Sequence, residues 1–174
     1  MRTPTRFVTD SSLDWLARRL RFLGYDVVTH RGALLEELFA EADRHGRIVL
    51  TSSARRPSRW AAVRVVHVDR HDHTSALRAI AQQHAPASAP WSRCPRCNVT
   101  THARSAFEAR GEVPGRVTRL PGVTFRSCPA CGQWFWPGSH VARLTAWFER
   151  ELGHPIPDFS APGDPDGGAA ERLD

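Results

Sequence analysis

The residues best suited to chemistry in this 174-residue chain are its four cysteines, which fall in two copies of one short pattern. These are Cys94-Pro95-Arg96-Cys97-Asn98 and Cys128-Pro129-Ala130-Cys131-Gly132. Two intervening residues let both sulfurs of a pair reach one ion at tetrahedral angles, and two pairs complete a closed four-thiolate shell of the kind that holds structural Zn2+. No coordination position is left for substrate, so such an ion serves folding. Asn98 and Gly132 occupy equivalent places, and both residue types accept the positive φ that turns backbone amides toward a thiolate. The competing chemistry is two disulfides, which requires an oxidising compartment.

A second set of candidate groups is carboxylate and hydroxyl. Asp10 closes the short apolar run Phe7-Val8, Asp14 follows one helical turn later, Thr51-Ser52-Ser53 follow Ile48-Val49-Leu50, and Asp69 and Asp72 follow Val65-Val66-His67-Val68. Clustered carboxylates are the usual holders of Mg2+ or Mn2+ in phosphodiester hydrolysis. Asp10, Asp14 and Asp69 are therefore the candidate catalytic acids. Asp10 could equally cap the helix that follows it, and Asp69 and Asp72 could form an ordinary polar turn.

The elements that must carry these groups alternate in type. A strand through Phe7 and Val8 leads into a helix with Leu13, Leu16, Ala17, Leu20 and Leu23 at helical spacing, ended by Gly24 as a left-handed cap. Next come a strand from Tyr25 to Thr29, a helix around Leu34 to Ala42 that stops at Gly46, a strand at 48–50, a strand at 63–68 and a helix over 74–83. Strands alternating with helices predict an α/β fold, a doubly wound parallel sheet over residues 1–84, in which ligands bind beyond the carboxyl ends of the strands. An Ala/Pro/Ser-rich linker at 85–90 separates it from a second module at 91–154, with a hairpin expected through 113–126 between the cysteine pairs. A C-terminal helix from Ser139, as N-cap, to about Leu152 completes that module. The acidic tail at 155–174 is expected to be disordered.

Charge points to the partner. All 24 basic residues are Arg; residues 1–154 hold 23 of them against 13 acids, while residues 155–174 hold 1 against 5. A body so basic attracts polyanions, and the Arg fork matches phosphate. Arg18, Arg21, Arg55, Arg56 and Arg59 are the candidate phosphate-binding residues, with nucleic acid, RNA or DNA, the expected partner. No window approaches the roughly 18 apolar residues of a membrane span, and the first residues lack the apolar core of a secretion signal. A cytoplasmic location is expected.

Three blocks, FVTDSSLDWLARRLRFLGYDV, GRIVLTS and the cysteine pairs ending in WFWPGSH, together resemble the Mut-seven C-terminal RNase domain family over about residues 6–144. The resemblance implies a PIN-like nuclease fold joined to a zinc ribbon, metal-dependent RNA cleavage, and Asp10 as the first catalytic acid. It also exposes departures. Members carry an acid at the start of the second helix, where this chain has Leu35 beside Glu36 and Glu37, and Thr-Arg-Asp after the third strand, where it reads Thr51-Ser52-Ser53. The expectation is a ribonuclease with a depleted acidic site; the alternatives are an inactive module that binds RNA or a ribonucleoprotein, and a protein adaptor. His140 matches the family's Gly-Ser-His, as an early residue of the last helix or a phosphate contact.

Overall fold

The computed structural model describes residues 4–159. Four parallel strands, β1 (Arg6–Asp10), β2 (Asp26–His30), β3 (Ile48–Thr51) and β4 (Val65–His67), form a sheet of order β2-β1-β3-β4. Side chains alternate across it as the two-residue strand period requires. Phe7, Val27, Ile48 and Leu50 enter one apolar cluster, while Val8 and Val49 enter the other. The helices α1 (Asp14–Phe22) and α3 (His73–Gln83) cover the first face, and α2 (Leu35–His45) covers the second. The expected doubly wound α/β layout is therefore present.

Local signals explain the boundaries. The Asp10 carboxylate accepts from the Ser12 amide at 2.8 Å and starts a 3-10 turn, Ser11–Leu13, that runs on into α1. Asp72 caps α3 through the Ser75 amide at 3.0 Å. Gly46 takes a left-handed conformation and ends α2. Gly24, at φ +88, has a second constraint: a Cβ there would stand 2.0 Å from the Ser88 carbonyl oxygen. Ala87 and Ser88 both donate their amides to the Gly24 carbonyl. The stretch read as a linker is thus laid directly against the end of α1.

Beyond it, β5 (His102–Arg104), β6 (Phe125–Ser127) and β7 (Trp134–Phe135) make an antiparallel sheet of order β5-β6-β7. The expected hairpin through 113–126 is not how the chain folds back. Pro114 instead precedes a single helical turn, α4 (Gly115–Thr118), because Val113 and Val117, four residues apart, bury together against Phe125 and Ala109. The hairpin is formed by β6 and β7 around the second cysteine pair.

The last helix, α5 (Ser139–Leu152), runs as expected, with Gly138 rather than Ser139 at the cap position. Its Leu144 and Phe148 join the cluster of β1, α1 and α3, so the first strand and the last helix share one core. Full burial of Phe148 contributes about 2–3 kcal/mol. The tail expectation needs correction for residues 155–159. Ile156 and Phe159 are buried, the Ile156 amide donates to Glu149, and the Trp91 indole donates to the Pro157 carbonyl at 3.0 Å. Two apolar residues suffice here because they seal one large indole; the expectation for 160–174 lies outside the described residues. Among the described residues no helix is long and apolar enough to cross a membrane.

Candidate metal centre and nucleic-acid interface

Each cysteine pair is built by the same backbone device. The Cys94 amide bonds the Val99 carbonyl and the Asn98 amide bonds the Cys94 carbonyl, each at 2.9 Å; Cys128 with Gln133, and Gly132 with Cys128, repeat both bonds at the same length. Asn98 sits at φ 66 and Gly132 at φ 71, as their residue types required. The four thiols share no disulfide. One ligand atom from each of Cys94, Cys97, Cys128 and Cys131 lies within 4.8 Å of all the others, and the Cys94 and Cys131 sulfurs are 3.9 Å apart. Sulfurs at about 2.3 Å from a tetrahedral ion stand about 3.8 Å from one another. The four cysteines are therefore close enough together to hold one metal ion. Burial pushes the Cys94 thiol up to about 12, whereas the Gln133 amide lowers Cys131 to about 7; ion binding must release the Cys94 proton at neutral pH.

The first knuckle is bolted to the edge of the parallel sheet. The Asn98 side chain accepts from the Val27 amide at 3.0 Å and donates to Asp26 at 2.8 Å. Arg21, only 2% exposed, donates to the Val27 carbonyl at 2.9 Å, the Pro95 carbonyl at 2.7 Å and the Thr29 hydroxyl at 2.7 Å. This corrects the reading of Arg21 as a phosphate contact: its fork is spent on internal carbonyls and is closed to solvent. The signal was present, since Arg21 lies four residues after Ala17 on the apolar stripe of α1, whereas Arg18 is itself exposed and paired with Asp14 one turn earlier.

Asp26 joins the same bolt, pairing with Arg47 at 2.7 Å. Burial pushes its carboxyl up, but hydrogen bonds from Arg47 and Asn98 outweigh that and hold it below the usual carboxylate range. The sign follows from linkage: a lowered folded-state pKa stabilises above the ordinary value of about 3.9 and loses that contribution as pH falls through the folded value. Melting temperature measured against pH should therefore drop more steeply below about pH 4 in the wild type than in Asp26→Asn, whose side chain carries no charge there. Parallel curves for the two proteins would contradict this assignment.

The strand-end acids are placed at the carboxyl edge but not gathered. Thr9 and Leu50 are register partners, so Asp10 and Thr51 follow side by side where the strand order reverses, the position at which open α/β sheets bind ligands. The Asp10 carboxylate is engaged by Ser12, Asp14 pairs with Arg18 at 2.8 Å, and Asp69 accepts from the His71 amide at 2.8 Å. Among the described residues the four cysteines are the one group of three or more potential ligands within 4.8 Å of one another. Asp10, Asp14 and Asp69 do not form a second such group among the described residues. Ser53 offers only a hydroxyl, which accepts from the Arg55 amide.

Sequence reasoning missed His30 and Glu41. His30 ends β2 level with Asp10, its Nδ1 is 2.6 Å from Glu41 and its Nε2 is 3.6 Å from Glu37. The findable signal was Glu37 and Glu41, one turn apart on α2, facing a strand that ends in His. Of the remaining arginines, Arg56 donates to the Ala61 carbonyl and Arg59 lies 5.2 Å over Trp60, while Arg55 is exposed.

A parallel α/β sheet carrying a four-cysteine ribbon and closed by a C-terminal helix is the class that this fold and site define. The chain belongs to the Mut7-C RNAse domain family, which matches residues 5–148. No curated protein and no solved structure matches it.

Proposed function

We propose that this protein is a single-stranded RNA-binding member of the family, that its four cysteines hold one structural Zn2+, and that its strand-end acids no longer make a metal-dependent cleavage centre. The carrying observation is that Asp10, Asp14 and Asp69 each serve a separate local contact, in an RNase-family body with ten more arginines than acids over residues 1–154. Such a body retains the electrostatic attraction for a phosphate backbone when the acids that would activate water are dispersed. Four reduced thiols fit a cytoplasmic setting.

A second reading keeps Asp10, Asp14 and Asp69 as ligands of Mg2+ or Mn2+ in an active ribonuclease. It is favoured by the place of Asp10 at the point where strand order reverses. One assay separates the two. Full-length protein incubated with labelled single-stranded RNA and Mn2+ is expected to retard the RNA on a gel and leave it intact, and Asp10→Asn should bind equally well. Cleavage by the wild type that Asp10→Asn abolishes would establish the second reading instead.

A further inference from the structure

Away from the strand ends, a cleft of about 560 Å3 opens between the ribbon and the face that carries α1 and α5. Trp134 and Trp136 line its ribbon side, and Arg18, Arg93, Arg96 and Arg116 surround it. Across His140, which borders both, lies a shallower depression of about 290 Å3 lined by Trp15, Arg19, Arg143 and Trp147. No Asp or Glu lines either one. The guanidinium groups of Arg96, Arg116 and Arg143 make no hydrogen bond or ion pair among the described residues. Arg19 lies 4.8 Å from the Trp15 ring centre and 5.5 Å from that of Trp147, with its Nε buried and unpartnered.

The geometry points to a binding track for a single-stranded nucleic acid along these two depressions, bases stacking on Trp134, Trp136 and Trp15 and phosphates lying against Arg96, Arg116, His140 and Arg143. The inference rests on the RNA-binding reading above and names where on the surface that binding occurs. The chemistry selects the occupant in three ways. Aromatic rings interleaved with arginines are the pattern that accepts unpaired bases and the backbone between them. A duplex keeps its bases stacked on one another and cannot use the indoles. Unpaired guanidinium groups with no carboxylate beside them favour a polyanion. Arg18 borders the same cleft with its guanidinium paired to Asp14, so the track is argued from Arg96, Arg116 and Arg143 and not from it.

The test is fluorescence anisotropy of the full chain with labelled oligouridine, oligo(dT) and an RNA duplex, with zinc content and circular dichroism measured on every variant. The wild type should bind oligouridine with an affinity that falls steeply with salt and should bind the duplex more weakly. Arg116→Glu combined with Arg143→Glu should weaken oligouridine binding at least tenfold. Trp15→Ala, at a side chain 39% exposed and so tolerant of replacement, should weaken it about fivefold or more. Arg44→Glu, on the opposite face of the sheet, should change little. Equal affinity for oligo(dT) would widen the occupant to DNA and support the track, whereas equal affinity for polyglutamate would reduce it to a general anion surface and overturn it. Binding that survives the track variants but is lost in Arg55→Glu with Arg59→Glu would overturn the track and leave the RNA reading standing. Failure of the wild type to bind any RNA would overturn that reading as well.

Discussion

Cys128→Ser is expected to abolish the fold of the ribbon while most of the helical circular dichroism remains at low temperature. A structural Zn2+ contributes on the order of 10 kcal/mol, and the ribbon has little else to replace it. Its own core is Ala109, Val113, Val117 and Phe125 with flanking tryptophans, and its strands are two or three residues long. The parallel sheet keeps a separate cluster around Phe7, Leu16, Leu20 and Phe148, so the loss should be local. Fluorescence should report it: Trp134 and Trp136 pack on the ribbon core and should shift to the red on substitution or on chelator treatment, and added Zn2+ should restore the wild type but not the variant. A melting curve and emission spectrum indifferent to chelator would contradict the assignment.

Arg21→Ala should be the most damaging change outside the cysteines. It removes three donors at once, leaving the Val27 and Pro95 carbonyls without their partner in a place where Arg21 itself is only 2% exposed. Unmet buried polar groups of this kind cost about 1–3 kcal/mol each. A total near 3 kcal/mol would lower the melting temperature by about 6–12 °C for a chain of this size. Arg21→Lys should not rescue it, since one ammonium cannot reach acceptors that the planar fork spans. Zinc should also leave faster, because Pro95 lies inside the first knuckle. Were Arg21 a phosphate contact, the same substitution would weaken RNA binding and leave the melting temperature in place.

What could be read from the sequence was whatever short-range spacing determines. The cysteine knuckles, their positive-φ partners Asn98 and Gly132, the alternating strands and the caps at Gly24 and Gly46 each depend on neighbours a few residues away. Arg21 was misassigned because its partners Val27, Thr29 and Pro95 are brought together only by docking of the ribbon, and charge alone does not distinguish an internal strut from a surface contact. The helical turn at Gly115–Thr118 was hidden by Pro114-Gly115, which reads equally as a hairpin turn until Phe125 supplies the apolar surface that Val113 and Val117 cover. Ile156 and Phe159 have few apolar neighbours in sequence, whereas the ring that Phe159 meets, Trp91, lies more than sixty residues earlier. The strand-end acids were placed at the correct edge, but edge position fixes only where a carboxylate begins. Whether it turns to an ion or to the nearest backbone amide depends on how many others face it, which is set by elements distant in sequence.

The account stands on a single ion that organises the ribbon and, through Asn98 and Arg21, seats it against the sheet. Native mass spectrometry of protein purified without chelator addresses this directly. The folded charge states should carry the mass of the chain plus one Zn2+, and acidification should release the metal together with a shift to unfolded charge states. Folded charge states at the metal-free mass, unchanged by added zinc, would contradict it.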